Sequence, residues 1–218
     1  MNVNLFNYQT FSVHMQKETK SLSIEFKSPE SATPELSSET LFELETLIGW
    51  LGQHLEVNAL FITCQGKHWG QGPGPENLRH FDHEKLKKYF KRLQKIVTSL
   101  LILPQTVVID LKDGAEGMMA EMSLAADLRV GSRNCKITFN HLAQGLTPCC
   151  GGLDLLCYLV GPSLSRNWVL GGRAVSSEVL ISSGFLAQGY DSVESLEHNK
   201  TRYQILKDIH AQGPIQRI

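Results

Sequence analysis

The chain has 218 residues, of which 42% are hydrophobic and 20% charged, with a formal net charge of −1. This is the make-up of a globular domain able to bury a sizeable core. With no basic field, nothing draws it to nucleic acid or to anionic lipid. The densest basic stretch, EKLKKYFKRLQK, alternates with apolar residues at helical spacing and reads as the wet face of a helix. Cys64, Cys135, Cys149, Cys150 and Cys157 are odd in number and lack C-x-x-C spacing, which points to reduced thiols rather than a disulfide framework. The first residues carry no apolar segment followed by a cleavage site, and no apolar run is long enough for a bilayer. A cytoplasmic protein with no membrane or nucleic-acid partner is expected.

Alternation around Phe11, Val13, Leu22, Ile24 and Phe26 predicts a hairpin. After the loop SPESATPELSS, with Ser37 or Ser38 as cap, Leu41, Leu44, Ile48, Leu51 and Leu55 mark one buried helical stripe. NALFITCQG is a continuous apolar strand ended by Gly66, the pattern of a strand covered on both faces. The loop HWGQGPGPENL leads into a helix from Asp82 to Leu101 with Leu86, Phe90, Leu93, Val97 and Leu100 as its stripe. Pro104 stops that helix, and TVVIDL is a second buried strand. Strands near LRVGS and CKITF follow, then the loop NHLAQGLTPCCGG. Helices are expected over Leu153–Val160, Ser163–Leu170, Ser177–Ser183 and Ser192–His210. Alternating strands and helices predict an α/β core.

The segment LKDGAEGMMAEMSLAADLRV is strand, glycine turn, then a helix from Met118. Backbone amides in a first helical turn lack intrahelical acceptors and sit in positive potential, so they can hold an anion or a developing oxyanion. Glu121 lies one turn after Met118, on the same face. A carboxylate beside an oxyanion donor suits proton transfer next to a carbonyl. The competing reading is that Glu121 merely complements its own helix dipole.

The spacing of Gly117, Glu121, Asp127 and Arg129 resembles the enoyl-CoA hydratase/isomerase (crotonase) superfamily. So does the run from FNHLAQGLTPCCGG to GFLAQGY, where Pro148, Gly151, Gly152, Gly161, Gly171, Gly172 and Gly184 fall at the family's positions. The resemblance implies a crotonase-like (ClpP/crotonase) α/β core of repeated β-β-α turns over 1–190. A C-terminal helix and tail over 191–218 complete one domain, with the C-terminal helical part shortened. It also implies an acyl-CoA or acyl-carrier thioester as substrate, no cofactor beyond the coenzyme A of that substrate, and a homo-oligomer, trimer or hexamer. Carried over, the Met118 amide, opened by Gly117, is one oxyanion donor, Glu121 is an acid or base, and Pro148 lies at the pocket wall.

The sequence departs from the pattern in two places besides its length. Where hydrating members have a second carboxylate, the shorter loop NHLAQG offers His141 or Ala143. His141 can serve as a base, while a lone loop histidine commonly stays solvated or hydrogen-bonded. In the first oxyanion loop, aligning Trp69 with the family's aromatic puts Gly72 at the glycine and Pro73 at the donor, and proline has no N–H. Either Gly74 or Glu76 donates instead, or half the hole is missing, at about 3 kcal/mol of transition-state stabilisation. Trp69 reads as packing at the loop base. Cys149 and Cys150, with no sequence-near partners, also read as packing, and no metal site is expected. Two readings stand: a thioester enzyme suited to a single-proton task such as double-bond migration, or a non-catalytic member that binds a thioester or a protein partner.

Overall fold

A computed structural model describes residues 7–28, 34, 36–70, 72–73, 78–191, 204–208 and 211. Strands β1 (Phe11–Gln16) and β2 (Ser21–Phe26) form the expected antiparallel hairpin, with Phe11 opposite Phe26. Helix α1 (Ser38–Leu51) begins where the Ser37 hydroxyl accepts the Thr40 amide at 3.0 Å. It buries Leu41, Leu44, Leu47, Ile48 and Leu51. Leu55, expected in that stripe, is exposed, because the helix stops at the Gly52 cap.

Strand β3 (Ala59–Cys64) is buried at every residue. Leu60, Ile62 and Cys64 enter the main core with the α1 stripe, while Ala59 and Phe61 pack on the other face with Val108 and Leu206. Helix α2 (His83–Ile102) is capped by Asp82, whose carboxylate accepts the Lys85 amide at 2.7 Å. Its buried line is Tyr89, Leu93, Ile96, Val97 and Leu100. Leu86 and Phe90, expected on it, are only partly buried. Tyr89 takes the inner position because its hydroxyl can donate to Leu36 O at 2.7 Å, satisfying the polar tip inside the core.

Beyond β4 (Thr106–Asp110) come two short elements, β5 (Gly114–Glu116) and α3 (Gly117–Ser123), then β6 (Leu128–Ser132) and β7 (Lys136–Thr138). A 3₁₀ turn at Leu142–Gln144 precedes α4 (Gly152–Val160) and α5 (Pro162–Gly171). The described chain then runs through β8 (Val175–Ser176), α6 (Ser177–Ser182) and β9 (Gln188–Tyr190). The main sheet has six strands in the order β1-β2-β3-β4-β6-β9, parallel after the first pair. Helices α1 and α2 are the crossovers that parallel neighbours require. A second sheet, β5-β7-β8, has three strands. Most of the helix expected over 192–210 lies outside the described residues; 204–208 is helical, with Leu206 buried.

Two side chains after α3 fix where that helix stops. The Asp127 carboxylate accepts the Val107 amide at 2.7 Å. Buried Arg129 donates from Nε to Phe185 O at 2.8 Å and from Nη1 to Ala126 O at 2.7 Å and Ser123 O at 3.2 Å. Burial lowers the Arg129 pKa to about 10, so it stays charged at neutral pH. Arg129→Met strips three carbonyls of a charged donor and is expected to lose about 3 kcal/mol of stability in urea unfolding.

Across the α1–α2 seam, Glu45 receives Lys95 Nζ at 2.6 Å and Arg92 Nε at 2.9 Å. The hydrogen bond from Lys95, opposed by burial and helped by both positive charges, holds the Glu45 pKa below its ordinary value. A carboxylate with a folded pKa below its unfolded one stabilises fully above the unfolded value and loses that contribution as pH falls through the folded one. Glu45→Gln is therefore expected to cost less than about 1 kcal/mol near neutrality. The two proteins should converge in acid, as read by denaturation at a series of pH values.

Candidate active site

The chain from Lys67 to Gly70 is laced to Asp113 and β5. The Asp113 amide donates to Lys67 O, the Trp69 amide to Gly114 O and the Glu116 amide to Gly70 O, each at 2.8 Å. Trp69 is fully buried and meets Phe26 edge-on at 6.0 Å, the packing role expected of it. The Gly70 amide donates to His68 Nδ1 at 3.2 Å, and burial lowers the His68 pKa, so the ring accepts as a neutral imidazole. Gly72 has φ +83, and a Cβ built there would stand 3.0 Å from Met118 Cβ. This contact brings the first loop's backbone against residue 118, so the two segments expected to form the oxyanion hole are neighbours. Pro73 is half-buried; Gly74 and Glu76 lie outside the described residues.

Gly117, at φ +53, turns the chain from β5 into α3, and Met118 is buried behind it. Glu121 is wholly buried. Its Oε1 accepts the Cys150 amide at 2.6 Å and the Gly152 amide at 2.9 Å. The dipole Glu121 complements therefore belongs to α4, not to its own helix. The approach is close: a Cβ on Gly152 would fall 2.6 Å from Glu121 Oε1. Sequence reading missed these two amides, although the glycine pair in PCCGG was a signal for a close backbone approach.

His141 is not solvated. It is 1% exposed, and its Nε2 lies 3.2 Å from Glu121 Oε2. Ala143, the other candidate in that loop, is exposed. The His141–Glu121 contact is close yet not aligned as a hydrogen bond. Among the described residues neither Glu121 Oε2 nor either His141 ring nitrogen has a hydrogen-bond partner. Buried polar atoms are rarely left so. The pair thus holds unused hydrogen-bonding capacity.

Pro148 is half-buried at the start of the turn that carries Cys149 and Cys150. Gln94 Nε2 donates to Cys149 O at 2.7 Å, tying this turn to α2. The neighbouring Cys149 thiol and burial raise the Cys150 pKa, and the Glu121 charge adds to both, so the free thiol stays protonated. All five cysteines are free. Pro73 lines a cleft of about 350 Å³ with Leu36, Ser37, His80, Phe81 and Tyr89. Burial raises the Tyr89 pKa, with smaller contributions from Cys149 and Cys150.

The two sheets and their helices define a crotonase-fold protein. The fold matches that of Pseudomonas aeruginosa DspI with a TM-score of 0.86, 22% identity, and coverage of 96% of this chain and 78% of that one. It matches an enoyl-CoA hydratase from Bacillus anthracis with a TM-score of 0.85, 21% identity, and coverage of 94% and 78%. The enoyl-CoA hydratase/isomerase family model matches residues 17–212, and the chain belongs to that family. The short-chain-enoyl-CoA hydratase of Clostridium acetobutylicum is 24% identical over 205 residues, 94% of this chain and 77% of that protein. The trans-2-decenoyl-[acyl-carrier-protein] isomerase of Streptococcus mutans is 25% identical over 134 residues, 60% of this chain and 51% of its own length. No helix among the described residues is long and apolar enough to cross a membrane.

Because Gly152 admits the carboxylate, Gly152→Ala is expected to displace Glu121 and destabilise the fold by about 1–3 kcal/mol. Gly171→Ala, which meets open space, should change stability by less than about 0.5 kcal/mol. Paired thermal or urea melts compare the two.

Proposed function

We propose that this protein binds an acyl thioester, carried on coenzyme A or an acyl carrier, and moves a proton at the carbon next to the thioester carbonyl. The Met118 amide is one oxyanion donor, and an amide of the Gly72–Glu76 loop, Gly74 or Glu76, is the other, since Pro73 has none. Glu121 is the acid–base residue and His141 its partner. The observation that carries this reading is the buried contact of 3.2 Å between His141 Nε2 and Glu121 Oε2, with no hydrogen bond made by either atom. Groups so close meet a substrate as one unit rather than as two separate sites. Water addition needs separately placed groups flanking a water, so migration of a double bond, in which one proton leaves and one returns, suits the pair better. No cofactor is required besides the carrier of the substrate. A trimer or hexamer is the assembly we propose from the family.

The alternative is a non-catalytic member that keeps the fold to bind a thioester or a protein. It is favoured by the complete burial of Glu121 and near-complete burial of His141. Exchange of the α-proton for deuterium in a panel of acyl-CoAs decides between the two. Glu121→Gln should lower exchange about 10²–10⁴-fold. Equal exchange in the variant and parent would leave the binding reading. Thioester binding itself is read separately: a saturating acyl-CoA, near a hundred times its Kd, should add about 2.7 kcal/mol of stability.

A further inference from the structure

Cys149 and Cys150 have no neighbour in sequence that would make them metal ligands, yet the fold supplies one. One carboxylate oxygen of Glu121 and both Sγ atoms lie within 4.8 Å of one another. The two sulfurs are 3.6 Å apart. In a tetrahedral zinc centre with Zn–S near 2.3 Å, two sulfur ligands stand about 3.8 Å apart. The dithiol is therefore already at the spacing of one edge of such a centre. Independently, Glu121 Oε2 is buried without a hydrogen-bond partner. We propose that Cys149, Cys150 and Glu121 form a three-ligand site for a soft divalent cation of the zinc class, with the fourth coordination position open.

The surroundings suit that task. Both hydrogen bonds to Glu121 are made to Oε1, from Cys150 N and Gly152 N, so the side chain is oriented toward the cysteine turn and keeps lone pairs for a ligand. His141 stands against Oε2 at 3.2 Å, where a partner of a ligating carboxylate belongs. The hydrogen bond from Gln94 fixes the Cys149 backbone at 2.7 Å. Cys149 is only partly buried and gives the ion a way in. On binding, each thiol releases its proton to water and the two thiolates and the carboxylate bond to the ion. The residual negative charge faces the amide end of α4, where it is stabilised. Two sulfurs favour zinc, cadmium or cobalt over magnesium or calcium. A cation held by the Glu121 carboxylate would occupy the group that the proposed function uses, so it would silence that chemistry; this corollary alone rests on the proposed function.

The test is titration of reduced, metal-free protein with Co(II), followed by Zn(II). The expected result is one Co(II) per chain with a thiolate-to-cobalt charge-transfer band and tetrahedral d–d absorption, displaced by stoichiometric Zn(II) and not by Mg(II). Cys149→Ser should lose most of the charge-transfer intensity, and Glu121→Gln should weaken binding at least about tenfold. Cys157→Ser should leave the spectrum unchanged. Because Cys149 is partly exposed, that variant tests the site even if Cys150→Ser fails to fold. A weak octahedral spectrum without a thiolate band overturns the proposal, as does a tetrahedral spectrum that survives Cys149→Ser.

Discussion

A carboxylate with no access to water must be held by something, and here two backbone amides at the head of α4 hold it. Both donate to one oxygen of Glu121. Most of the site's layout follows from that arrangement. The turn through Cys149 and Cys150 has to return to α3. Gly152 has to lack a Cβ, since one would lie inside the carboxylate's contact distance. The positive end of α4 then offsets the cost of a buried negative charge. The same constraint leaves the second oxygen of Glu121 3.2 Å from His141 Nε2 and without a hydrogen bond.

Rigidity around the site comes from groups other than Glu121 and His141. The chain from Lys67 to Gly70 is tied to Asp113 and β5 by three amide hydrogen bonds, and Gly72 meets Met118 just beyond it. On the other side of α3, Arg129 gathers the carbonyls of Ser123, Ala126 and Phe185. Helix α3 is thus held at both ends, and Glu121 in its middle inherits that position. A short helix would otherwise be marginal, since seven residues offer little hydrogen bonding of their own.

The elements that were legible in the sequence are those with enough length to show a period. The hairpin, α1, α2, β3 and β4 each repeat their burial pattern across several residues, and apart from the end of α1 their boundaries fall within a residue or two of expectation. Strands β5, β8 and β9 are two or three residues long and have no period to read. In α2, Leu93, Val97 and Leu100 are buried as expected, but its first turns were read on Leu86 and Phe90 because a tyrosine was not counted as core, yet Tyr89 finds an acceptor for its hydroxyl inside. Leu55 was counted as core and is exposed, because nothing in its hydrophobicity told that the helix had already ended. Glu121 stood out in the sequence as a charged residue among small ones, and its special environment is real.

By itself, the sequence determined the family, the α/β alternation, and the residues Gly117, Met118 and Glu121 as one unit. Those depend on local spacing, which a chain carries wherever it folds. Only the tertiary structure decided that His141 turns inward to Glu121, that the Cys150 and Gly152 amides hold the carboxylate, and that the two cysteines sit beside it. These contacts join residues 20 to 31 positions apart. No period or propensity encodes them, because they arise where α4 and the loop after β7 close onto α3.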